Sequence, residues 1–226
     1  MRLAVPNFFE TLGMWVGNFL VVIFVGLLGA GLLGAHIIAI RLEALSFLPG
    51  FAIGMAAATL AGQYLGAGRP DLAKRAIWRC AMLASAFMGL FGAAFILIPG
   101  TLVGLMSAQP VHLKNTPAVL AICGIVQVPF ALGIVLRSAL RGAGDVRVVM
   151  VLTWFSTYLI RLPLAFLLSG VDTPLLQNPM PDNFTVAGVA VHGLQGLWIG
   201  LCIDLALRGA LFLGRYLQGG WTRAKV

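Results

Sequence analysis

Long apolar runs alternate with short polar breaks along the whole chain. A helix that crosses a bilayer needs about 20 predominantly apolar residues at a rise of about 1.5 Å each. Six runs meet that length, at approximately 3–28, 35–65, 77–99, 118–140, 148–168 and 186–216. The glycine-rich stretch 29–34 turns the first run into the second, and the later breaks read GQYLGAGRPD (62–71), SAQPVHLKNTP (107–117), RGAGD (141–145) and the proline-rich VDTPLLQNPMPDNFT (171–185). The pattern predicts an all-α membrane protein, a single bundle of six transmembrane helices over residues 1–226 with no second soluble domain.

Composition agrees with this. Of 226 residues 60% are hydrophobic and 10% charged, with a mean hydropathy of +0.99, so there are too few charges to cover a water-facing surface. The net charge of +8 raises nucleic acid as a partner. The basic residues form no stripe, however, and sit between the apolar runs, so membrane lipid is expected and nucleic acid is not. Counted by alternate flanks, one side holds Arg2, Arg69, Lys74, Arg75, Arg79, Arg137, Arg141, Arg147, Arg215, Arg223 and Lys225, and the other holds Lys114. Cytoplasmic loops retain Lys and Arg, so both termini are expected in the cytoplasm of a multi-pass cell (inner) membrane protein. Arg2 ahead of an apolar run resembles a signal peptide, but the run continues to about Gly34, longer than a cleavable segment, and reads as a retained first helix.

Ionisable groups inside hydrocarbon cost about 2.5 to 3.5 kcal/mol each on insertion scales, so they are the first candidates for function. Glu10 follows Pro6 and Asn7 in the first run, where it binds a cation, exchanges a proton, or sits at the interface beside Arg2. Arg41 and Glu43 are two apart, pointing to different helix faces, and serve either a substrate cavity or an ion pair with another helix. Asp204 and Arg208, four apart, have the spacing of a mutual ion pair. Gln127 and Arg161 each stand two residues before a proline and are candidates to line a polar path. Pro6, Pro49, Pro129 and Pro163 are the expected bending points.

Other chemistry is thinly supported. Cys80, Cys123 and Cys202 are odd in number and lack a CxxC, which indicates neither disulfides nor zinc. Ser169 in FLLSG lacks the first glycine of a G-x-S-G nucleophile; His36, His112 and His192 fall at span ends or in a loop, and no HExxH exists. No enzyme, catalytic residue, resident metal or cofactor is expected. Asn183 in NFT is a sequon of the kind common by chance. Trp78 and Trp221 fit interfacial anchoring, while Trp15, Trp154 and Trp198 read as packing or lipid-facing residues.

The segment AHIIAIRLEALSFLPGFAIGMAAATLAGQYLGAGRPDLAKRA (35–76) resembles the second-helix signature of the multidrug and toxic compound extrusion (MATE) transporters. VPNFFE (5–10) is similar to the start of that family's seventh helix, LRGAGD (140–145) to its turn between helices ten and eleven, and GLWIG (196–200) to the start of its last helix. The resemblance implies the C-terminal half of a twelve-helix architecture built from two six-helix bundles. It implies a secondary antiporter that exports organic, chiefly cationic, compounds in exchange for Na⁺ or H⁺ by alternating access. Glu10 then matches the acidic residue used for cation coupling. A second acidic position of some members falls near Phe130, which is not acidic, leaving Glu43 or Asp204 to stand in. A single half implies either a truncated piece, since Met1 lies only a few residues before the helix proline, or pairing with a matching N-terminal half or a second copy. Two alternatives differ in kind: a lipid-linked oligosaccharide flippase, for which Arg41, Arg137 and Arg161 speak, and an inactive membrane fragment.

Overall fold

The computed structural model describes residues 4–173, 176–180, 185–186 and 189–223. Arg2, Asn183 and Lys225, each singled out by the sequence, lie outside them. The chain is helical nearly throughout: α1 (Ala4–Leu28), α2 (Ala30–Gly66), α3 (Pro70–Leu97), α4 (Pro99–Met106), α5 (Pro110–Ile125), α6 (Gln127–Gly142), α7 (Val146–Trp154), a π-helical segment (Phe155–Arg161), α8 (Leu162–Ser169) and α9 (Gly193–Gln218), closed by a 3₁₀ turn (Gly220–Arg223). Five helical stretches are long and apolar enough to cross a membrane, or six when the bent pair α5–α6 is taken as one span.

Three boundaries differ from the sequence pattern for identifiable reasons. The run 118–140 is broken at Val126, where α5 and α6 meet at 60°. Pro129 falls in the first turn of α6, where a missing N–H costs no helical hydrogen bond, so the chain bends just before it. The polar stretch 107–117 is not all loop: α5 already starts at Pro110, since proline is well suited to a first helical turn. The last run starts later than hydropathy indicated, because Thr185–Val186 pairs antiparallel with Val189–Ala190 and α9 begins only at Gly193. Of the remaining expected bending points, Pro6 stands at the start of α1, Pro49 lies inside α2, and Pro163 follows the π segment in the first turn of α8.

In lipid no hydrophobic force drives one helix against another, so close packing of small residues holds the bundle. The RGAGD motif combines such packing with a turn. Gly142 lies so close to the Ala58 backbone that a Cβ would collide with it, which lets α6 approach α2. Gly144 then adopts φ +86°, a left-handed conformation that turns the chain while the Asp145 N–H bonds the Leu140 carbonyl at 3.0 Å. Helix α6 is central, packed against α2, α3 and α9. Helix α1 buries one stripe, Glu10, Gly13, Gly17, Val21 and Val25, and exposes Phe8, Trp15, Phe19 and Leu27. Trp221, expected at the membrane interface, is instead fully buried, stacked on Tyr216 with its indole donating to the Tyr216 carbonyl at 3.0 Å.

Candidate functional site

The stripe of α1 places Glu10 at the meeting point of α6 and α7. Its carboxylate is fully buried and receives three donors. Arg137 Nε donates to Oε1 at 2.7 Å, Arg141 Nε to Oε2 at 2.9 Å, and Thr153 Oγ1 to Oε1 at 3.0 Å. The Arg141 Nη2 also reaches 2.6 Å from Oε2, though out of line for a hydrogen bond, so it adds charge rather than a directed bond. Arg137 and Arg141 are one helical turn apart on α6 and therefore share a face. Neighbouring bonds fasten the α1 backbone to the same wall: Trp154 Nε1 donates to the Phe9 carbonyl at 3.2 Å and the Tyr158 hydroxyl to the Gly13 carbonyl at 2.8 Å.

Arg137 and Arg141 are a correction to the sequence reading, which placed them with the loop arginines. Their side chains turn inward onto Glu10, because a buried carboxylate without cations and donors is unstable. Their four-residue spacing was the available signal, masked by their proximity to the polar turn that follows.

A second cluster lies on α9 and the π segment. Arg208 Nη2 meets Asp204 Oδ2 at 2.7 Å, confirming the ion pair read from the i, i+4 spacing. Ser156 donates to Asp204 Oδ1, and Arg208 donates to Ser156 Oγ at 3.3 Å and to Thr157 Oγ1 at 3.1 Å. The wide π turn is what presents both hydroxyls to one arginine: the Leu162 N–H reaches back five residues, to the Thr157 carbonyl.

The third cluster surrounds Glu43. The Cys123 thiol donates to Glu43 Oε1 at 3.1 Å, Gln127 Nε2 donates to Cys123 Sγ at 3.2 Å, and Ser46 donates to Gln127 Oε1 at 2.7 Å. Glu43 is buried, and among the described residues no cation pairs with it. Arg41, two residues away, points outward and is exposed, as expected for neighbours on different helix faces. Arg161 ends the π segment, and its buried Nε has no hydrogen-bond partner among the described residues. Near it, buried His36 accepts the Trp198 indole N–H at 3.0 Å, so Trp198 is a packing residue with a satisfied polar edge.

The structure thus brings Glu10, Asp204, Glu43 and Gln127 into the interior and leaves Arg41 outside. A cleft of about 390 Å³ lies apart from all three clusters, between α7 and α9, lined by residues that include Val148, Leu152, Leu211 and Arg215.

A match to the MatE family model spans residues 6–167, most of the chain. The chain belongs to the MATE family. It is 30% identical over 224 residues to a probable multidrug resistance protein NorM of Thermotoga maritima, covering 99% of this chain and 43% of that protein. With the multidrug resistance protein NorM of Burkholderia vietnamiensis it shares 32% identity over 197 residues, 85% of this chain and 39% of the relative. Among solved structures, the bent form of the Vibrio cholerae MATE transporter VcmN superposes with a TM-score of 0.80 at 15% identity, over 99% of this chain and 46% of that one, which establishes a shared fold. The chain spans less than half the length of these MATE relatives.

Proposed function

We propose that this chain forms one six-span half of a cation-coupled exporter of organic compounds, with Glu10 as the coupling carboxylate. The observation that carries this reading is the Glu10 cluster: one buried carboxylate ties α1 to α6 and α7 through two guanidiniums and a hydroxyl. A proton or Na⁺ that binds Glu10 competes directly with Arg137 and Arg141. Its arrival loosens α1 from the bundle, and its departure restores the tie. The site therefore has two mutually exclusive occupants, which is what exchange requires. The names of the relatives, multidrug resistance proteins, support organic compounds as the exported class.

The matching half or a second copy would cover the exposed apolar face of α1 and complete a central cavity, with both termini on the cytoplasmic side of the inner membrane. Arg41, exposed on α2, would meet substrate or that second half. Gln127, Asp204 and Arg161 line the polar interior. Of the three arginines on which the flippase reading rests, Arg137 is already spent on Glu10, whereas Arg41 is exposed and Arg161 keeps a buried, unspent N–H; the names of the relatives therefore carry the choice of the exporter.

The test is accumulation of a cationic dye in cells expressing the chain alone and joined behind an N-terminal half of a relative. Lower accumulation in the joined form, lost in Glu10→Gln, supports the reading. Equal accumulation in all cells contradicts it.

A further inference from the structure

The three interior carboxylates differ in what neutralises them. Glu10 has two arginines and Asp204 has one. Glu43 has a thiol donor and no cation among the described residues, although only 7% of its surface is exposed. A bare carboxylate buried in this way is costly, whereas burying the neutral carboxyl group costs far less. The surrounding donors fit a neutral group. Cys123 supplies one weak donor to Oε1, and Gln127 spends its amide on Cys123 and its carbonyl on Ser46.

The charged and titratable groups that bear on Glu43 are few. From α5 there is Cys123, with Cys202 of α9 beyond it. From the π segment there is Arg161, which also lies within Coulombic reach of Asp204, Arg208 and His36. Helix α6 offers only the uncharged Gln127, and α1, α3 and α4 present no charged group to it among the described residues. Arg161 is therefore a nearby cation with a buried, unspent N–H, set between one carboxylate that already has a partner and one that has none.

We infer that Glu43 is a second proton-exchanging group, protonated in the arrangement seen, and that Arg161 pairs with it once the proton leaves. In that step the Glu43 O–H bond breaks, the proton passes to water of the transport pathway, and the carboxylate accepts the Arg161 N–H. The new pair draws the π segment toward α2, so a proton at Glu43 sets the position of the segment that also holds Ser156, Thr157 and, through them, Arg208. π-Helical turns within α-helices often mark such functional positions. The inference rests on the exporter reading for its purpose, but not for its test.

The experiment is infrared difference spectroscopy of the purified protein in lipid nanodiscs across an alkaline pH step. Wild type is expected to lose a protonated-carboxyl C=O band. Glu10→Gln keeps that loss, Glu43→Gln abolishes it, and Glu43→Asp, the variant of choice if Gln prevents assembly, shifts the band without removing it. Cys123→Ala moves its frequency, because one acceptor lone pair is freed. In Arg161→Gln the band persists to at least about tenfold lower proton concentration, since the cation that stabilises the anion is gone. A wild type without the band, or a band that survives Glu43→Gln, overturns the proposal. An unchanged titration in Arg161→Gln overturns the role of Arg161. Because no transport is measured, the Glu43 band stands or falls independently of the dye assay that tests the exporter reading.

Discussion

The Glu10 and Glu43 clusters are both buried, both bridge three elements, and are built on opposite electrostatic plans. Glu10 is surrounded by more positive charge than it can cancel, two guanidiniums against one carboxylate. Glu43 meets only a thiol. An over-matched carboxylate exchanges its arginines for an incoming cation or proton, whereas an unmatched one has no protein cation to give up. The difference is therefore one of what holds each carboxylate before an ion arrives, and it follows from which helix face carries arginine.

Substitutions that remove charge from one side separate the two plans. The largest effect is expected for Glu10→Leu, which leaves Arg137 and Arg141 facing each other without an anion. A loss of about 3–5 kcal/mol is expected for a broken buried pair, read as a fall in the thermal unfolding midpoint of the purified protein. Arg208→Leu comes next, with a loss of about 3 kcal/mol on the same measurement, softened because Ser156 still donates to Asp204. Cys123→Val removes the donor to Glu43 and the acceptor of Gln127 together and is expected to cost about 1–3 kcal/mol, while Cys123→Ser restores most of it. Glu43→Gln is the smallest, within about 1 kcal/mol of wild type, because one neutral group replaces another. A Glu43→Gln loss as large as that of Glu10→Leu would erase the distinction between the clusters.

Hydropathy made the helical membrane class legible, since the long apolar runs admit little else, and the i, i+4 rule found the Asp204–Arg208 pair. Glu10 stood out because of the company of Pro6 and Asn7 and the family resemblance. What pattern could not show was the direction of long side chains near a helix end. Arg137 and Arg141, beside a polar turn, read as loop charges, and only the rotation of α6 against α1 shows them as interior partners. The π segment was also hidden, because Ser156 and Thr157 are ordinary residues of an apolar run until a five-residue hydrogen bond turns them to one face. Cys123 read only as one of three cysteines without a disulfide or zinc pattern; its thiol gained meaning only once α2 placed Glu43 beside it, 80 residues away in sequence.

The decisive measurement is efflux of a cationic dye from proteoliposomes holding the joined two-half protein, with Na⁺ and pH gradients imposed separately on wild type and Glu10→Gln. If Glu10 couples the cation, wild type follows one of the two gradients, and Glu10→Gln still binds dye but no longer responds to either. A Glu10→Gln protein that transports with the gradient dependence of wild type would contradict the assignment of Glu10 as the coupling carboxylate.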